Sequence, residues 1–428
     1  MAFLIGSMCK HIDGKKNLTD KKQVVSYFDS KKVYIPLFHA NSKIELVVKE
    51  GDRVKVGTKI AEGKELFYVP LFSSVSGTVL GVESRMHSSM KKLDHLVIEN
   101  DGKFEEEKLP TLDYRTSSAE DIALFIKEKG ILGQGGAGFP TYVKYVGAKG
   151  IHTVIINAVE CEPFITSDYF NIKMNLDFFK EGVLALFKAS NAKKVQVAIK
   201  KDKVELIDKL KSIFKENKEV EIVGVPNVYP MGWERTLIYA LTKKRYDRLP
   251  SELGLIVSNA TTALAFGKAL ITGIPITTKM ITVSGNAIAN PSNVLCPVGT
   301  IVNELLTACG GTTKENIQLI AGGPMMGTAL TIDEFVITPY SNALTVLEYE
   351  EIKENKCLRC GACIEVCPSG LQPVNIANAE KTKNIEALVK LHYEKCIECG
   401  LCTYICPSKI AVTEKIRVAK RNMALRRK

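Results

Sequence analysis

The chain has 428 residues, of which 46% are hydrophobic and 25% charged, so it has an ordinary globular composition and enough length for several domains. The formal net charge is +11, but acidic residues are interspersed with basic ones along most of the chain. No aromatic and basic stripe of the kind that binds single-stranded nucleic acid occurs, so nucleic acid is not an expected partner. Neither a signal peptide nor a run of about twenty apolar residues occurs. These features predict a cytoplasmic protein, with peripheral attachment to the cytoplasmic face of a membrane left open.

Short β-type runs separated by glycines predict a small β domain within residues 1–110. The runs are Val33–Leu37, Ile44–Val48, Lys59–Ala61, Gly77–Val82 and Leu96–Glu99. The pattern from Val48 to Gly57, followed by Ser76–Val79, is similar to the barrel-sandwich hybrid of biotinyl and lipoyl carrier domains. The modified lysine of those carriers has no evident counterpart, so a structural version of that fold is expected.

An alternation of helix and strand patterns predicts an α/β domain over residues 111–278. Ser118 and Asp121 form a capping box that begins a helix, and Gly130 ends it. Further strands are expected at His152–Asn157, Val195–Ile199 and Val220–Val223, and further helices at Lys203–Glu216 and Trp233–Thr242. Gly254–Thr278 has the pattern of a strand, a helix and a strand.

Two smaller domains are predicted after residue 278. Residues 279–345 have short strands around one helix, Thr300–Ala308, which is a β-grasp-like pattern. Residues 346–428 begin with a charged linker that leads into a cysteine-rich domain. The predicted fold class is therefore multidomain, with α/β and α+β parts.

Eight of the twelve cysteines form two tight runs, which indicates metal binding in a reducing compartment rather than disulfides. Each run has the spacing C-x-x-C-x-x-C-x-x-x-C-P. In two-cluster ferredoxins the fourth cysteine of each run binds the other cluster. The first [4Fe–4S] cluster is therefore assigned to Cys357, Cys360, Cys363 and Cys406, and the second to Cys396, Cys399, Cys402 and Cys367. Zinc sites, the main alternative, usually pair two C-x-x-C units or use histidine.

The segment Gly133–Pro140 contains G-x-G-x-x-G, but a predicted helix rather than a strand precedes it, which disfavours an ordinary Rossmann fold. A glycine-dense loop still exposes backbone N–H groups to a phosphate, and Lys144 follows one turn later. The alternative is a tight structural loop with a solvated lysine. Downstream, Asn157, Glu160 and Glu162 end a strand in a segment suited to ring edges and ribose hydroxyls. Exposed loop acids are the alternative there.

These segments together resemble the RnfC family of the Rnf electron transport complexes, which is related to the NADH-oxidising flavoprotein of respiratory complex I. The resemblance also includes Tyr229–Arg235, Asn259–Thr262 and Gly322–Gly327, and it covers nearly the whole chain. The family's domain order is the one predicted here: a barrel-sandwich hybrid, a flavin domain, a β-grasp domain of the soluble-ligand-binding type and a two-cluster ferredoxin-type domain.

The resemblance implies a noncovalent FMN and NADH as substrate. It places the FMN phosphate on Gly133, Gly135, Gly136 and Gly138 with Lys144 nearby, and flavin contacts on Asn157, Tyr229, Asn259 and Thr262. It places Glu160 and Glu162, the candidate catalytic residues, near the isoalloxazine and the nicotinamide, and Phe139 against the adenine. The implied chemistry is hydride transfer from NADH to FMN, followed by single-electron steps through the clusters.

Two departures from the family pattern leave alternatives open. Trp233 follows Gly232 where the family usually has a second glycine, and Cys9–Asp13 replaces the usual Gly-Gly-x-His-Pro. The expected partners are NAD(H) and ferredoxin or a partner redox subunit, and an Rnf-type complex would add membrane subunits. One alternative is a soluble paralogue that delivers NADH electrons to a dedicated reductase, such as a proline or cobalamin reductase. The other is a relay module without NADH binding.

Several residues outside these motifs carry weaker expectations. Cys161, Cys296 and Cys309 are expected to pack in the core, whereas a redox role of Cys9 stays open. The basic tail, 415–428, is expected either to dock on an acidic partner or a membrane surface or to form a solvated, partly frayed helix.

Overall fold

A computed structural model of the chain describes residues 10–38, 44–63, 67–136 and 138–426. Cys9, whose role was left open, lies outside the described residues. The N-terminal segment runs along two other domains before it enters its own. Lys10 pairs with Tyr229 through two backbone hydrogen bonds of 2.7 and 3.0 Å. The short strand β1 (Val25–Ser26) then pairs in parallel with a strand of the third domain.

The predicted sandwich domain is present. Its strands are β2 (Lys32–Pro36), β3 (Ile44–Leu46), β4 (Arg53–Val54), β5 (Lys59–Gly63), β6 (Leu71–Phe72), β7 (Gly77–Met86) and β8 (Lys92–Asn100). One sheet has the order β2-β8-β7-β4 and the other the order β3-β5-β6. The buried side chains of Val33, Ile60, Val79 and Ile98 fill the space between the sheets. The short β-type runs separated by glycines therefore indicated the right fold class.

The second domain is an α/β domain with a parallel sheet of four strands. Its elements are α1 (Ala119–Glu128), β9 (Thr153–Ala158), α2 (Ser167–Met174), α3 (Leu176–Ser190), β10 (Lys194–Lys200), α4 (Val204–Ile213), β11 (Val220–Val225), α5 (Glu234–Thr242), β12 (Leu255–Asn259) and α6 (Ala260–Thr272). The strand order is β11-β10-β9-β12. Ser118 caps α1 in the predicted capping box with Asp121. Helices α2 and α3 were not assigned from the sequence.

The third domain has a mixed sheet around one helix. Its elements are β13 (Thr278–Ser284), β14 (Ser292–Pro297), α7 (Val302–Ala308), β15 (Ile317–Ala321), β16 (Thr328–Leu330) and β17 (Ala343–Glu348). The sheet order is β1-β14-β13-β17-β15-β16, so the N-terminal segment supplies an edge strand. Cys296 and Cys309 are fully buried in this core, which confirms their predicted packing role.

The C-terminal domain contains short helices around the two cysteine runs. They are α8 (Ala362–Glu365), α9 (Pro373–Lys381), α10 (Ile385–Lys390), α11 (Leu401–Tyr404) and α12 (Val412–Arg426). Ile416 and Ala419 bury one face of α12. Its basic residues pair within the domain, since Lys415 contacts Glu354 at 2.6 Å and Lys420 contacts Glu398 at 2.8 Å. Residues 415–426 of the tail thus belong to a packed helix.

In the part of the chain that the structure describes, no helix is both long enough and apolar enough to cross a lipid bilayer.

Candidate functional site

The glycine-rich loop lies against the amino end of α6. The Gly133 N–H donates to the Phe139 carbonyl at 2.8 Å and closes the loop. The Gln134 N–H donates to Thr262 Oγ1 at 2.9 Å, which fixes the loop to the helix. Asn259 Oδ1 caps α6 by accepting two backbone N–H groups of its first turn, at 2.8 and 3.2 Å. Three predicted site residues therefore meet where a parallel strand ends and a helix begins, the location that suits a phosphate.

The other predicted loop glycines lie in the same place. Gly135 packs beside Asn259, because a Cβ added to Gly135 would lie 3.7 Å from the Asn259 Cβ. A Cβ added to Gly136 would have no neighbour within 4 Å, so its backbone faces open space. Gly138 has a φ of +60°, and a Cβ there would lie 2.8 Å from the Tyr340 ring. A side chain at position 138 would therefore push the loop away from the third domain.

Asp168 connects the glycine loop to the acidic segment. Its Oδ1 accepts the Thr261 hydroxyl at 2.8 Å, and its Oδ2 accepts the Asn259 amide at 3.0 Å. Its own N–H donates to Glu160 Oε1 at 2.9 Å. This network holds the carboxyl ends of β9 and β12 at a fixed separation. Asp168 was not among the predicted site residues, although it ends the acidic segment that follows β9, and the structure adds it.

Glu160 and Glu162 are buried carboxylates rather than exposed loop acids. Glu160 lies 3.7 Å from the Lys16 ammonium. Glu162 Oε1 accepts the N–H groups of Met325 and Met326, at 2.7 and 2.9 Å, from the Gly322–Gly327 loop. Burial raises the pKa of both carboxyls above the ordinary value of 4.5. The two acids are held in place by segments distant in sequence, which fits a site that needs fixed carboxylates.

Glu162→Gln should make the protein more stable at neutral pH. The raised pKa of Glu162 means that its charged form is destabilising, and the Gln oxygen can still accept both N–H groups. The stabilising contribution of the protonated acid is complete below pH 4.5 and is lost as the pH rises. The variant's advantage, on the order of 1 kcal/mol, should therefore grow as the pH rises above 4.5, and denaturant titrations at one acidic and one neutral pH measure it. If the unfolding midpoints of E162Q and the unchanged protein differ by the same amount at both pH values, this electrostatic explanation is wrong.

Asn157 and Lys144 form hydrogen bonds within the protein. The Asn157 amide donates to the Gly232 carbonyl at 2.8 Å, and its oxygen accepts the Val159 N–H at 3.0 Å. The Lys144 ammonium donates to the Val257 carbonyl at 2.7 Å, and burial lowers its pKa. Both residues therefore shape the ends of β9 and β12. Their contacts to flavin and phosphate stay predictions.

Phe139 belongs to the glycine loop, and Trp233 follows Gly232, whose carbonyl accepts the Asn157 amide. The Phe139 side chain is 43% exposed and its ring centroid lies 6.4 Å from that of Phe67. The proposed stacking of Phe139 on an adenine stays a prediction, and its exposure leaves a ring face accessible. Trp233 is half-buried and occupies the N-cap position of α5.

Tyr229 connects the acidic segment to the cysteine domain. Its side chain is 1% exposed, and its hydroxyl donates to the Cys399 carbonyl at 2.7 Å. Tyr229 also interacts with the Glu162 carboxylate. Tyr229, Val366, Cys399 and Leu401 form one apolar cluster across the two domains. The predicted flavin segment and one cysteine run are thus in direct contact.

Four of the eight cysteines in the two runs lie together, and the crossed assignment as a whole stays a prediction. Cys367, Cys396, Cys399 and Cys402 line one cavity. We call this set the inner cysteines, because three of them are at most 9% exposed. Burial raises the pKa of the Cys402 thiol to about 11. Four thiolates at such a buried site require the positive charge of iron, so these residues fit a cluster.

The remaining four, Cys357, Cys360, Cys363 and Cys406, are called the outer cysteines. Cys357 and Cys360 are exposed. The Asn355 N–H donates to the Ser408 carbonyl at 2.9 Å, which brings the start of the first run beside the end of the second. In each run the first cysteine sulfur accepts a backbone N–H at 3.4 Å, from Arg359 in the first run and from Glu398 in the second. In the described part of the chain, no three His, Cys, Asp or Glu side chains lie close enough together to bind one metal ion as they stand.

Four domain families match the chain. Residues 9–103 match the RnfC barrel sandwich hybrid domain, residues 126–267 the Nuo51 FMN-binding domain, residues 280–329 the SLBB domain and residues 356–410 the 4Fe-4S dicluster domain. These matches confirm the predicted fold class and the predicted order of the domains.

Two relatives match over most of their length. One is the C subunit of the proton-translocating ferredoxin:NAD(+) oxidoreductase complex of Clostridium ljungdahlii, 35% identical, with 85% of this chain and 81% of the relative covered. The other is the C subunit of the Na(+)-translocating ferredoxin:NAD(+) oxidoreductase complex of Acetobacterium woodii, 32% identical, with 81% and 80% covered.

The structure is also similar to that of NAD+-reducing [NiFe]-hydrogenase. The H2-reduced and air-oxidised forms match with TM-scores of 0.52 and 0.50 at 18% sequence identity. The matches cover 72% and 71% of this chain but only 61% and 63% of the hydrogenase chain. This similarity concerns the fold.

Proposed function

Because this chain belongs to the RnfC family of ferredoxin:NAD(+) oxidoreductase complexes, we propose that it transfers electrons between NADH and ferredoxin or a partner redox protein. FMN and two [4Fe–4S] clusters are its cofactors. When bound, they exchange the electron pair of a hydride for single electrons. The chain's own residues hold these groups, exclude water and fix two carboxylates beside the flavin site.

The contact between Tyr229 and the Cys399 carbonyl is the observation that carries this proposal. It joins the loop that follows β11, where the flavin contacts are predicted, to the loop that holds the inner cysteines. Glu162 lies on the same path, because it interacts with Tyr229 and with the Gly322–Gly327 loop. A direct packed contact between the two predicted redox sites keeps them close, which favours internal electron transfer.

The burial of the two cysteine sets supports an order for the clusters. Cys399 of the inner set packs against Tyr229 of the flavin domain, whereas Cys357 and Cys360 of the outer set are exposed. Leu358, between Cys357 and Cys360, is 70% exposed. We assign the inner site to exchange with the flavin and the outer site to exchange with the partner protein.

The proposal includes a location and a domain division. The chain works in the cytoplasm and, within an Rnf-type complex, at the cytoplasmic face of the membrane beside the membrane subunits.

Its domains are residues 1–110, 111–278, 279–345 and 346–428. The strand at Val25–Ser26 belongs to the first of these ranges but pairs with the sheet of the third domain.

A steady-state assay with the FMN-loaded and cluster-loaded protein tests the proposal. NADH should reduce a high-potential artificial acceptor, such as ferricyanide, reduced ferredoxin should reduce NAD+, and both reactions should require FMN. NADH oxidation by ferricyanide without NAD+ reduction by ferredoxin would leave the NADH site in place and remove ferredoxin as the partner. An absence of both reactions, in protein that dithionite reduces fully, would contradict the proposal and favour the relay module.

A further inference from the structure

A cavity lies at the carboxyl edge of the parallel sheet, beyond the ends of β10 and β11. The glycine loop contacts the end of β12, at the opposite edge of the sheet. The cavity has an empty volume of about 870 Å³, which includes its open mouth. Its lining includes His11, Lys16, Cys161, Lys200, Asn227 and Tyr229, and no described residue of the glycine loop. The carboxyl edge of a parallel sheet is where α/β proteins bind ligands.

Lys200 lines this cavity as a buried cation. It is the last residue of β10 and is only 6% exposed. The charges of Cys161, Asp202 and Glu160 favour its charged form, although none of the described carboxylates forms an ion pair with it within 4.0 Å. An ammonium group with so little contact with water gains from a hydrogen-bond acceptor. A ligand oxygen in the cavity would supply such an acceptor.

The other cations around the cavity already have partners. Lys15 contacts Asp13 at 2.7 Å, Lys16 contacts Glu160 and two backbone carbonyls, and Lys203 lies 5.0 Å from the centre of the Tyr169 ring. The carboxylates Asp13, Asp20 and Asp202 also line the cavity. These carboxylates disfavour a polyanion, so a ligand with one or two negative charges fits best.

We propose that this cavity binds a small carboxylate or phosphate anion through the Lys200 ammonium, at a site separate from the flavin and nucleotide site. The N-terminal segment forms one wall, since Lys10 pairs with Tyr229 and the His11 ring contacts the Asn227 carbonyl at 3.0 Å. Tyr229 forms part of another wall, so an occupied cavity adjoins the contact to Cys399. The lowered pKa of Lys200, about 8, has burial as its main cause, and a bound anion would offset it.

Calorimetric titration of the FMN-loaded and cluster-loaded protein tests the proposal with inorganic phosphate and with malonate as probes, against sodium chloride at matched ionic strength. One probe should bind with one site per chain, and which probe binds tells phosphate from carboxylate chemistry. Lys200→Met should weaken that binding by about tenfold or more. Lys201→Met is the matched control, because Lys201 is the next residue and is exposed. K201M should bind as the unchanged protein does.

Three results would overturn the proposal. The first is that neither probe binds the unchanged protein more strongly than chloride does. The second is that K200M and K201M weaken binding equally, which would indicate general charge attraction. The third is that NADH displaces the anion, which would make the cavity part of the nucleotide site. Lys200→Arg guards against a folding defect in K200M. It keeps the charge, so loss of anion binding in a folded K200R protein would also count against the site.

Discussion

Cys399→Ser will remove the inner cluster and stop electrons from NADH at the flavin. Cys399 is 7% exposed and lies with Cys367, Cys396 and Cys402 around one cavity. Its carbonyl also accepts the Tyr229 hydroxyl, so the loop it belongs to is the contact with the flavin domain. The iron content of the variant should fall by about half. NADH should still bleach the flavin absorbance, while the outer cluster should stay oxidised.

Cys360→Ser gives the complementary result. Cys360 is exposed and belongs to the outer set, so its loss should leave NADH-driven reduction of the inner cluster intact. Transfer to ferredoxin should be lost. Electron paramagnetic resonance after NADH addition distinguishes the two variants, and Cys309→Ala controls for the loss of a buried thiol that belongs to neither set. NADH-driven reduction of the outer cluster in C399S would contradict the proposed order of the two sites.

Gly267→Ala should unfold or strongly destabilise the flavin domain. Gly267 of α6 faces Gly182 of α3 at a contact where the two backbones touch. A Cβ added to Gly267 would lie 1.8 Å from the Phe178 carbonyl oxygen, and one added to Gly182 would lie 1.7 Å from that of Ala263. Alanine favours helix by about 1 kcal/mol. Overpacking against a backbone that cannot yield outweighs this gain, so we expect a loss of about 3 kcal/mol or more.

The effect of Gly267→Ala should extend to FMN binding. Asn259 caps α6 and holds Asp168, and Thr262 in the first turn of α6 holds the glycine loop. Any shift of the helix therefore moves both contacts. Denaturant titration and FMN retention on gel filtration measure the two effects. Ile271→Ala is the matched control on the same helix, because Ile271 is 50% exposed and should change stability by less than about 0.5 kcal/mol. A G267A protein as stable as the I271A protein would disprove the close helix contact.

The sequence allowed the prediction of features that depend on local spacing. The capping box at Ser118 and the first three cysteines of each run have their partners within a few residues. The glycine loop could be found from its own residues, whereas its partner Thr262 is distant in sequence. The crossed pairing of the fourth cysteines follows from the pattern of two-cluster ferredoxins rather than from spacing, and it stays a prediction.

Contacts between distant backbone groups could not be predicted in this way. The two N–H groups that bind Glu162 belong to Met325 and Met326, and any residue type except proline supplies a backbone N–H. The same holds for the strand at Val25–Ser26, because two residues carry no period that could indicate their partner strand. Lys16 and Lys200 have the sequence context of ordinary surface lysines, yet the fold buries them. Burial of a charge is a property of the tertiary structure and leaves no local pattern.

The most direct test of internal electron transfer is a single addition of NADH to the anaerobic protein, loaded with FMN, iron and sulfide, while flavin and cluster absorbance are followed together. We expect the flavin to bleach first and the clusters to follow without any added protein, because one chain holds the whole path from Glu162 through Tyr229 to Cys399. If the clusters form and dithionite reduces them, yet NADH leaves both signals unchanged, then NADH does not deliver electrons to this chain and the proposed function is wrong.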